Sequence, residues 1–165
     1  MRKAVFLDRD GTLNSDEGHY YIYRAEDFVL NEGVIAGLKI LKKHHYLLIV
    51  VTNQGGVAKG IYSEADVEKV HEEMKRQLKL GGISIDGIYY CPHHDTVQSC
   101  DCRKPSPYMI NQAITDFDLD AKQCFMIGDS DRDIEAAKRA GIRAFKIKKN
   151  NSIVEICKKI VEDED

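Results

Sequence analysis

Five short apolar runs, each followed by a stretch of helix length, constrain the fold of this chain more than any single residue. Ala4–Leu7, Tyr46–Val51, Gly87–Tyr90, Cys124–Ile127 and Ala144–Ile147 read as strands. Val34–Lys43, Glu64–Leu80, Pro107–Phe117, Asp131–Ala140 and Ile153–Val161 read as amphipathic helices. Ser63 is a candidate N-cap, with Glu64 and Asp66 in the first turn favouring the helix dipole. Gly141 is placed to close the fourth helix. Strand and helix alternating in this way imply a parallel sheet covered by helices on both faces. The expectation is an α/β, Rossmann-like, doubly wound parallel sheet in three layers, α/β/α. At 165 residues the chain is expected to form one domain, 1–165, and it shows no repeat or linker. The acidic tail, Glu162–Asp165, is expected to fray.

Two connections exceed the usual length for such a fold, and loops of that kind are usually functional. Asp10 to Asn31 carries His19, Tyr20, Tyr21 and Tyr23, and Cys91 to Ser106 carries cysteines and histidines. Both leave the carboxyl edge of the predicted sheet. They leave little chain for a separate cap domain. A net charge of −3 gives no basic stripe for a nucleic-acid partner. No apolar stretch approaches the length that spans a bilayer. Met1-Arg2-Lys3 is basic, but the apolar run behind it stops at Asp8, too short for a signal peptide. A cytoplasmic location is therefore expected, where five cysteines point to metal or buried thiols rather than disulfides.

Ligands of open parallel sheets bind at the carboxyl ends of strands. Behind Ala4–Leu7 comes Asp8-Arg9-Asp10-Gly11-Thr12. In an extended segment, residues i and i+2 share a face, so both carboxylates address one electrophile. One can attack while the other carries protons for the leaving group, and such a pair also suits a hard divalent cation. A solvated turn with an Asx cap would explain the pair taken alone. Behind Tyr46–Val51, the Thr52 hydroxyl and the amides of a Gly55-Gly56 turn offer donors for phosphoryl oxygens. Behind Cys124–Ile127, Asp129 stands as a candidate metal ligand ahead of a helix start that Ser130 or Asp131 can cap. Asp133, one turn on, is placed to orient the ligand shell or to bond the loop backbone. Lys104 offers a point charge for phosphate. A Thr hydroxyl, a Lys and several carboxylates at strand ends fit phosphoryl chemistry, with Mg²⁺ offsetting the repulsion between acids and an anionic substrate.

Cys91-Pro92-His93 followed by Cys100-Asp101-Cys102 supplies three thiolates and an imidazole within a dozen residues. Four such ligands suit a closed, structural Zn²⁺ site that folds the loop presenting Arg103 and Lys104. His94 competes with His93 for the fourth position. Cys124 and Cys157 lie on apolar faces and read as core packing. His44, His45 and His71 read as helix-surface or helix-end residues without a role. His19 reads as a solvated or loop-packing residue, and its tyrosine neighbours line a sugar pocket or pack the loop down.

Segments FLDRDGTLN (Phe6–Asn14), VTNQGGVAKG (Val51–Gly60), DGIYYCPHH (Asp86–His94), CDCRKP (Cys100–Pro105) and GDSDRDI (Gly128–Ile134) together resemble the haloacid dehalogenase-type phosphatases. The likeness is stronger still to the group holding the heptose-bisphosphate and histidinol-phosphate phosphatases, and it runs through nearly the whole chain. It implies that Asp8 is the nucleophile and forms an aspartyl-phosphate. Asp10 would protonate the departing sugar oxygen and then activate water. Asp8, the backbone carbonyl of Asp10 and Asp129 would hold Mg²⁺. Thr52 and Lys104 would bind the phosphoryl group, while Asn53 and Arg103 would touch substrate, Arg103 gripping a distal phosphate through its planar fork. Zinc would be held by Cys91, His93, Cys100 and Cys102.

The implied substrate is a small phosphorylated sugar, D-glycero-D-manno-heptose 1,7-bisphosphate, losing its C7 phosphate on the way to lipopolysaccharide or S-layer heptose. Histidinol phosphate or another small phosphate monoester is the alternative. Gly18-His19-Tyr20-Tyr21 and the short connection from His93 to Cys100 depart from the heptose pattern where the substrate is framed, and Asn31-Glu32-Gly33 departs at the entry to the first helix. A signalling phosphoacceptor would lack the second acid, and a silent zinc-binding or interaction module would lose the acidic set; here both sets are intact. A DNA 3′-phosphatase would leave an electrostatic footprint that this charge balance does not show. The two long loops are expected to frame the site in a monomer, with no membrane or nucleic-acid partner.

Overall fold

The computed structural model describes residues 1–163. Five parallel strands form one sheet: β1 (Ala4–Leu7), β2 (Leu47–Asn53), β3 (Gly87–Cys91), β4 (Phe125–Gly128) and β5 (Arg143–Lys146), in the order β3-β2-β1-β4-β5. Helices α1 (Val34–Lys43), α2 (Glu64–Leu80), α3 (Tyr108–Asp116), α4 (Asp131–Arg139) and α5 (Val154–Glu162) cover it. The strand alternation assigns the faces. Val5, Leu7, Leu48, Val50, Phe125 and Ile127 pack with α1, α2 and α5. Ala4, Phe6, Ile49, Val51 and Met126 pack with α3 and α4 on the other side. This is the expected three-layer α/β/α arrangement. All of β1 is fully buried, and each large apolar side chain so placed contributes about 1.5–3 kcal/mol. The chain runs from β1 outward through β2 to β3, then crosses back to β4 and β5. The crevice over the carboxyl ends of β1 and β4 is therefore the switch point where such sheets bind ligands.

Capping follows the sequence closely. Ser63 and Asp66 exchange side-chain and backbone bonds at 3.1 and 2.9 Å before α2. At α4 the cap is Ser130, not Asp131, and Asp133 returns a bond from the Ser130 amide at 3.2 Å. Gly141 takes the left-handed conformation that closes α4, φ +77°.

Several boundaries move. Strands β2 and β3 continue past their apolar runs because the parallel ladder still pairs Thr52 with Tyr90 and Asn53 with Cys91. The edge strand β5 begins at Arg143 and stops before Ile147, whose amide bonds the Gly128 carbonyl at 2.9 Å. Glu162 is the last residue of α5, and the last two residues of the acidic tail lie outside the described residues. Residues 8–33, between β1 and α1, hold turns, isolated bridges and one 3₁₀ turn at Ala25–Asp27, with no inserted folding unit among the described residues. Among the described residues no helix is long and apolar enough to cross a membrane.

Candidate active site

The sheet delivers Asp8 to the crevice by extending β1 one residue, its amide bonded to the Ile127 carbonyl of β4 at 3.1 Å. Asp8 accepts a bond from Lys104 Nζ at 2.8 Å. That ammonium also donates to the Val51 carbonyl at 2.9 Å and pairs with Asp133. All three side chains are buried, so each charge depends on the others; removing one partner of such a group typically costs about 3–5 kcal/mol. Burial opposes the Lys104 charge, but the two carboxylates outweigh it and hold the ammonium firmly protonated. Burial pushes the Asp8 carboxyl up to about 7 against the pull of Lys104, and Asp129 beside it adds to the rise. Asp133 is pushed up to about 6, first by burial and then by Asp8.

Asp129 arrives from the end of β4. Oxygens of Asp8, Asp129 and Asp133 lie within 4.8 Å of one another. Gly11 makes that approach possible: its φ is +88°, and a Cβ there would sit 2.6 Å from Asp129 Oδ2. An all-oxygen donor set that crowds carboxylates together in a buried site fits a hard divalent cation, which would relieve that crowding. Asp133 is committed to Lys104 and the Ser130 amide, which leaves Asp8 and Asp129 as the carboxylates free to hold a cation. Asn53 and Lys104 exchange two bonds, Lys104 N to Asn53 Oδ1 at 2.9 Å and Asn53 Nδ2 to Lys104 O at 3.2 Å. These bonds stitch the β2 end to the lysine loop. Asp8, Asp10, Thr52, Asn53, Lys104 and Asp129 thus share one cavity of about 190 Å³.

Asp10 occupies a different setting, built by residues the sequence reading passed over. Arg9, between the two acids in sequence, is fully buried. Its Nε and Nη2 reach Asp10 Oδ1 and Oδ2 at 3.0 Å each, and Nη2 also bonds the Ile22 carbonyl at 2.8 Å. Asn14 and Gln54 add donors to Asp10 at 2.9 and 3.2 Å. Burial would raise the Asp10 carboxyl, yet Arg9 and these donors together hold it below the usual carboxylate range. The fourth arm of Arg9 is His71, with Nη1 3.2 Å from Nε2. This corrects the surface reading of His71: it is buried on the inner face of α2, and burial with the Arg9 charge drops its pKa to about 3. A charged residue set between two strand-end acids was the available signal for Arg9. Gln54 links Thr52 to Asp10, donating to Thr52 Oγ1 at 2.9 Å and accepting from Tyr62 at 2.7 Å.

The cysteine loop closes on itself as expected. Cys91 Sγ lies 3.5 Å from His93 Nδ1 and 3.7 Å from Cys100 Sγ, and His93 Nδ1 lies 3.3 Å from Cys102 Sγ. Ligands about 2.0–2.3 Å from a tetrahedral zinc are separated by about 3.5–3.8 Å, so these four fit Zn²⁺. His94 is excluded from the set, its Nδ1 engaged by Thr96 at 2.8 and 3.1 Å. Cys124 and Cys157 are core residues, as read.

A second cavity of about 310 Å³ continues outward and is lined by Asp10, Asp16, His19, Arg103, Arg132 and Lys149 among others. Tyr23 stacks on Tyr62 with ring centroids 5.3 Å apart, and Tyr21 meets the same ring edge-on, so these two pack the loop down. Tyr20 is exposed at the mouth and His19 lines the cavity wall. Gly55 and Gly56 are demanded by space: added Cβ atoms would come 2.7 Å from His94 and 2.1 Å from Tyr62. Two further residues escaped the sequence reading. Lys149 pairs with Asp16 at 2.7 Å, and Asn150 bonds the Gly11 carbonyl and the Asp16 carboxylate at 2.8 and 3.0 Å, pinning the first long loop.

A family model described as HAD-hydrolase-like matches residues 101–162. Across nearly the whole chain, the D-glycero-beta-D-manno-heptose-1,7-bisphosphate 7-phosphatase of Pasteurella multocida (strain Pm70) is 45% identical over 168 residues, 99% of this chain and 87% of that protein. The chain belongs to the haloacid dehalogenase-like phosphatases. A family member of the same name from Escherichia coli (strain K12) is 42% identical over 145 residues, 84% of this chain and 75% of that protein. Among solved structures, the D,D-heptose 1,7-bisphosphate phosphatase from B. bronchiseptica, complexed with magnesium and phosphate, shares the fold of this family member. It covers 99% of each chain at a TM-score of 0.84 and 25% identity.

Proposed function

We propose that this phosphatase removes the C7 phosphate of D-glycero-D-manno-heptose 1,7-bisphosphate by way of a phosphorylated Asp8. One observation carries the reading: Asp8 and Asp10 face a single cavity but are held by different cations, Lys104 and Arg9. Asp8 Oδ attacks phosphorus while the bond to the C7 oxygen breaks, and Asp10 gives that oxygen its proton. Water then attacks the phosphorus, Asp10 takes the proton back, and Asp8 leaves as the free carboxylate. Because Arg9 keeps Asp10 ionised at rest, its proton is taken up when a phosphate ester binds beside it and opposes the Arg9 charge. Thr52 and Lys104 bind the phosphoryl oxygens, Asn53 touches the substrate, and Arg103 faces the distal phosphate.

Asp8, Asp129 and the Asp10 carbonyl would hold Mg²⁺, which supplies a Lewis acid and charge neutralisation when bound. Cys91, His93, Cys100 and Cys102 hold a structural Zn²⁺ in the same reading. Residues 1–165 act as one domain, without a cap, as a cytoplasmic monomer. The names of the Pasteurella multocida and Escherichia coli relatives make the beta anomer the first substrate to try. The test compares kcat/KM for both anomers of the heptose bisphosphate with that for histidinol phosphate, using Asp8→Asn as the control. A preference for the bisphosphate is expected, together with loss of turnover in Asp8→Asn. Preference for histidinol phosphate would overturn the substrate, and an active Asp8→Asn would overturn the nucleophile.

A further inference from the structure

The two cavities share Asp10, Asp16, Asn53, Arg132 and Lys149, which mark the passage from the reacting phosphate to the rest of the substrate. In the outer cavity the cationic side chains outnumber the acidic ones. Asp10 is matched by Arg9, and Asp16 is matched by Lys149 at 2.7 Å. Arg103 has one carboxylate within reach, Asp95 at 3.8 Å, and that acid is largely in water. Arg132, in the first turn of α4, lines both cavities and has no carboxylate partner among the described residues. Two guanidinium groups thus face the outer cavity with almost nothing to neutralise them. A second phosphate, carrying about 1.5–2 negative charges near neutral pH, would supply that balance. Guanidinium forks are also the groups best shaped to bind it.

We infer that Arg132 is a specificity-determining residue, which binds the second phosphate of a sugar bisphosphate together with Arg103. The inference rests on the bisphosphate reading above. It adds a residue from α4 to a subsite otherwise built by the cysteine loop. Among the described residues the Arg132 side chain makes no bond to Asp8, Asp10, Lys104 or Asp129, so it selects substrates by their distal charge without holding the reacting groups.

The experiment measures kcat and KM for Arg132→Gln and Arg132→Lys on heptose bisphosphate and on p-nitrophenyl phosphate, which has no second anion. Losing one charge-assisted contact at this exposed position should raise the bisphosphate KM by about 10-fold, with kcat little changed. The p-nitrophenyl phosphate kinetics should match the parent, and Arg132→Lys should recover part of the loss. An unchanged bisphosphate KM in Arg132→Gln would overturn the inference, as would equal losses on both substrates. If the parent ignores heptose bisphosphate but hydrolyses another sugar bisphosphate, such as fructose 1,6-bisphosphate, the heptose reading fails. The same comparison on that ester then supports or overturns the role of Arg132. A parent that prefers monophosphates throughout would overturn both.

Discussion

Asp8 and Asp10 stand two residues apart on one strand end, yet their carboxyl groups are driven in opposite directions. Asp8 meets a lysine already shared with Asp133, and burial prevails; Asp10 meets a buried arginine of its own, and the charge prevails. Both line one cavity just past the end of β1. What separates them is Arg9, buried against Asp10. His71 completes the shell of Arg9 and must stay neutral to accept from it. Its folded pKa of about 3 lies below the ordinary 6.5, so below pH 6.5 the unfolded chain binds a proton that the folded chain refuses. The His71 contribution is therefore fully present above pH 6.5 and is lost as pH falls toward 3, by at most about 1.4 kcal/mol per pH unit. Urea unfolding of His71→Gln, which keeps an acceptor for Arg9, should show a shallower loss of stability across that window than the parent. Parallel slopes would mean that His71 is not the group being protonated.

Among the elements, the cysteine loop has the clearest local logic and the widest reach. Cys91 is the last residue of β3, so one ligand of the cluster is fixed by the sheet while Cys100 and Cys102 return from the loop. Arg103 and Lys104 follow directly, and the paired bonds between Asn53 and Lys104 lock the loop to β2. Cys100→Ser should therefore lose the metal, lower the melting temperature and reduce kcat/KM, although no cysteine touches substrate. Elemental analysis of the purified protein should give roughly one zinc per chain in the parent, retained under mild Mg²⁺ chelation, and far less in the variant. A metal-free parent with full activity would refute the structural role. This cluster was legible because ligand type and spacing are local properties. The clamp of Asp16 by Lys149 and Asn150 was not, since its partners lie more than a hundred residues apart and nothing in either segment announces the other.

For the whole molecule, the site is a junction held together by opposed charges: β1 brings Asp8, β2 Thr52, β4 Asp129, α4 Asp133, and the loop before α3 Lys104. A cation bound between β1 and β4 should tighten that junction. At 100 times its dissociation constant a ligand specific for the folded state adds about 2.7 kcal/mol. For a chain of this size that corresponds to a rise of about 5–10 °C in melting temperature. Thermal scans with and without Mg²⁺ should show this in the parent and much less of it in Asp129→Asn; equal shifts would place the cation elsewhere.

The amino-acid order by itself determined the layers, the parallel sheet, the acids at the strand ends and the run of cysteines and histidines that could hold a metal. Each of these follows from periodicity or spacing within a few residues. Only the tertiary structure decided that Arg9 is buried under Asp10, that His71 and Gln54 support that pair, that His94 stands outside the metal cluster, and that Arg132 faces the outer cavity. Those outcomes depend on which distant segments the packed helices bring together, and a buried charge takes its properties from the partners it meets there.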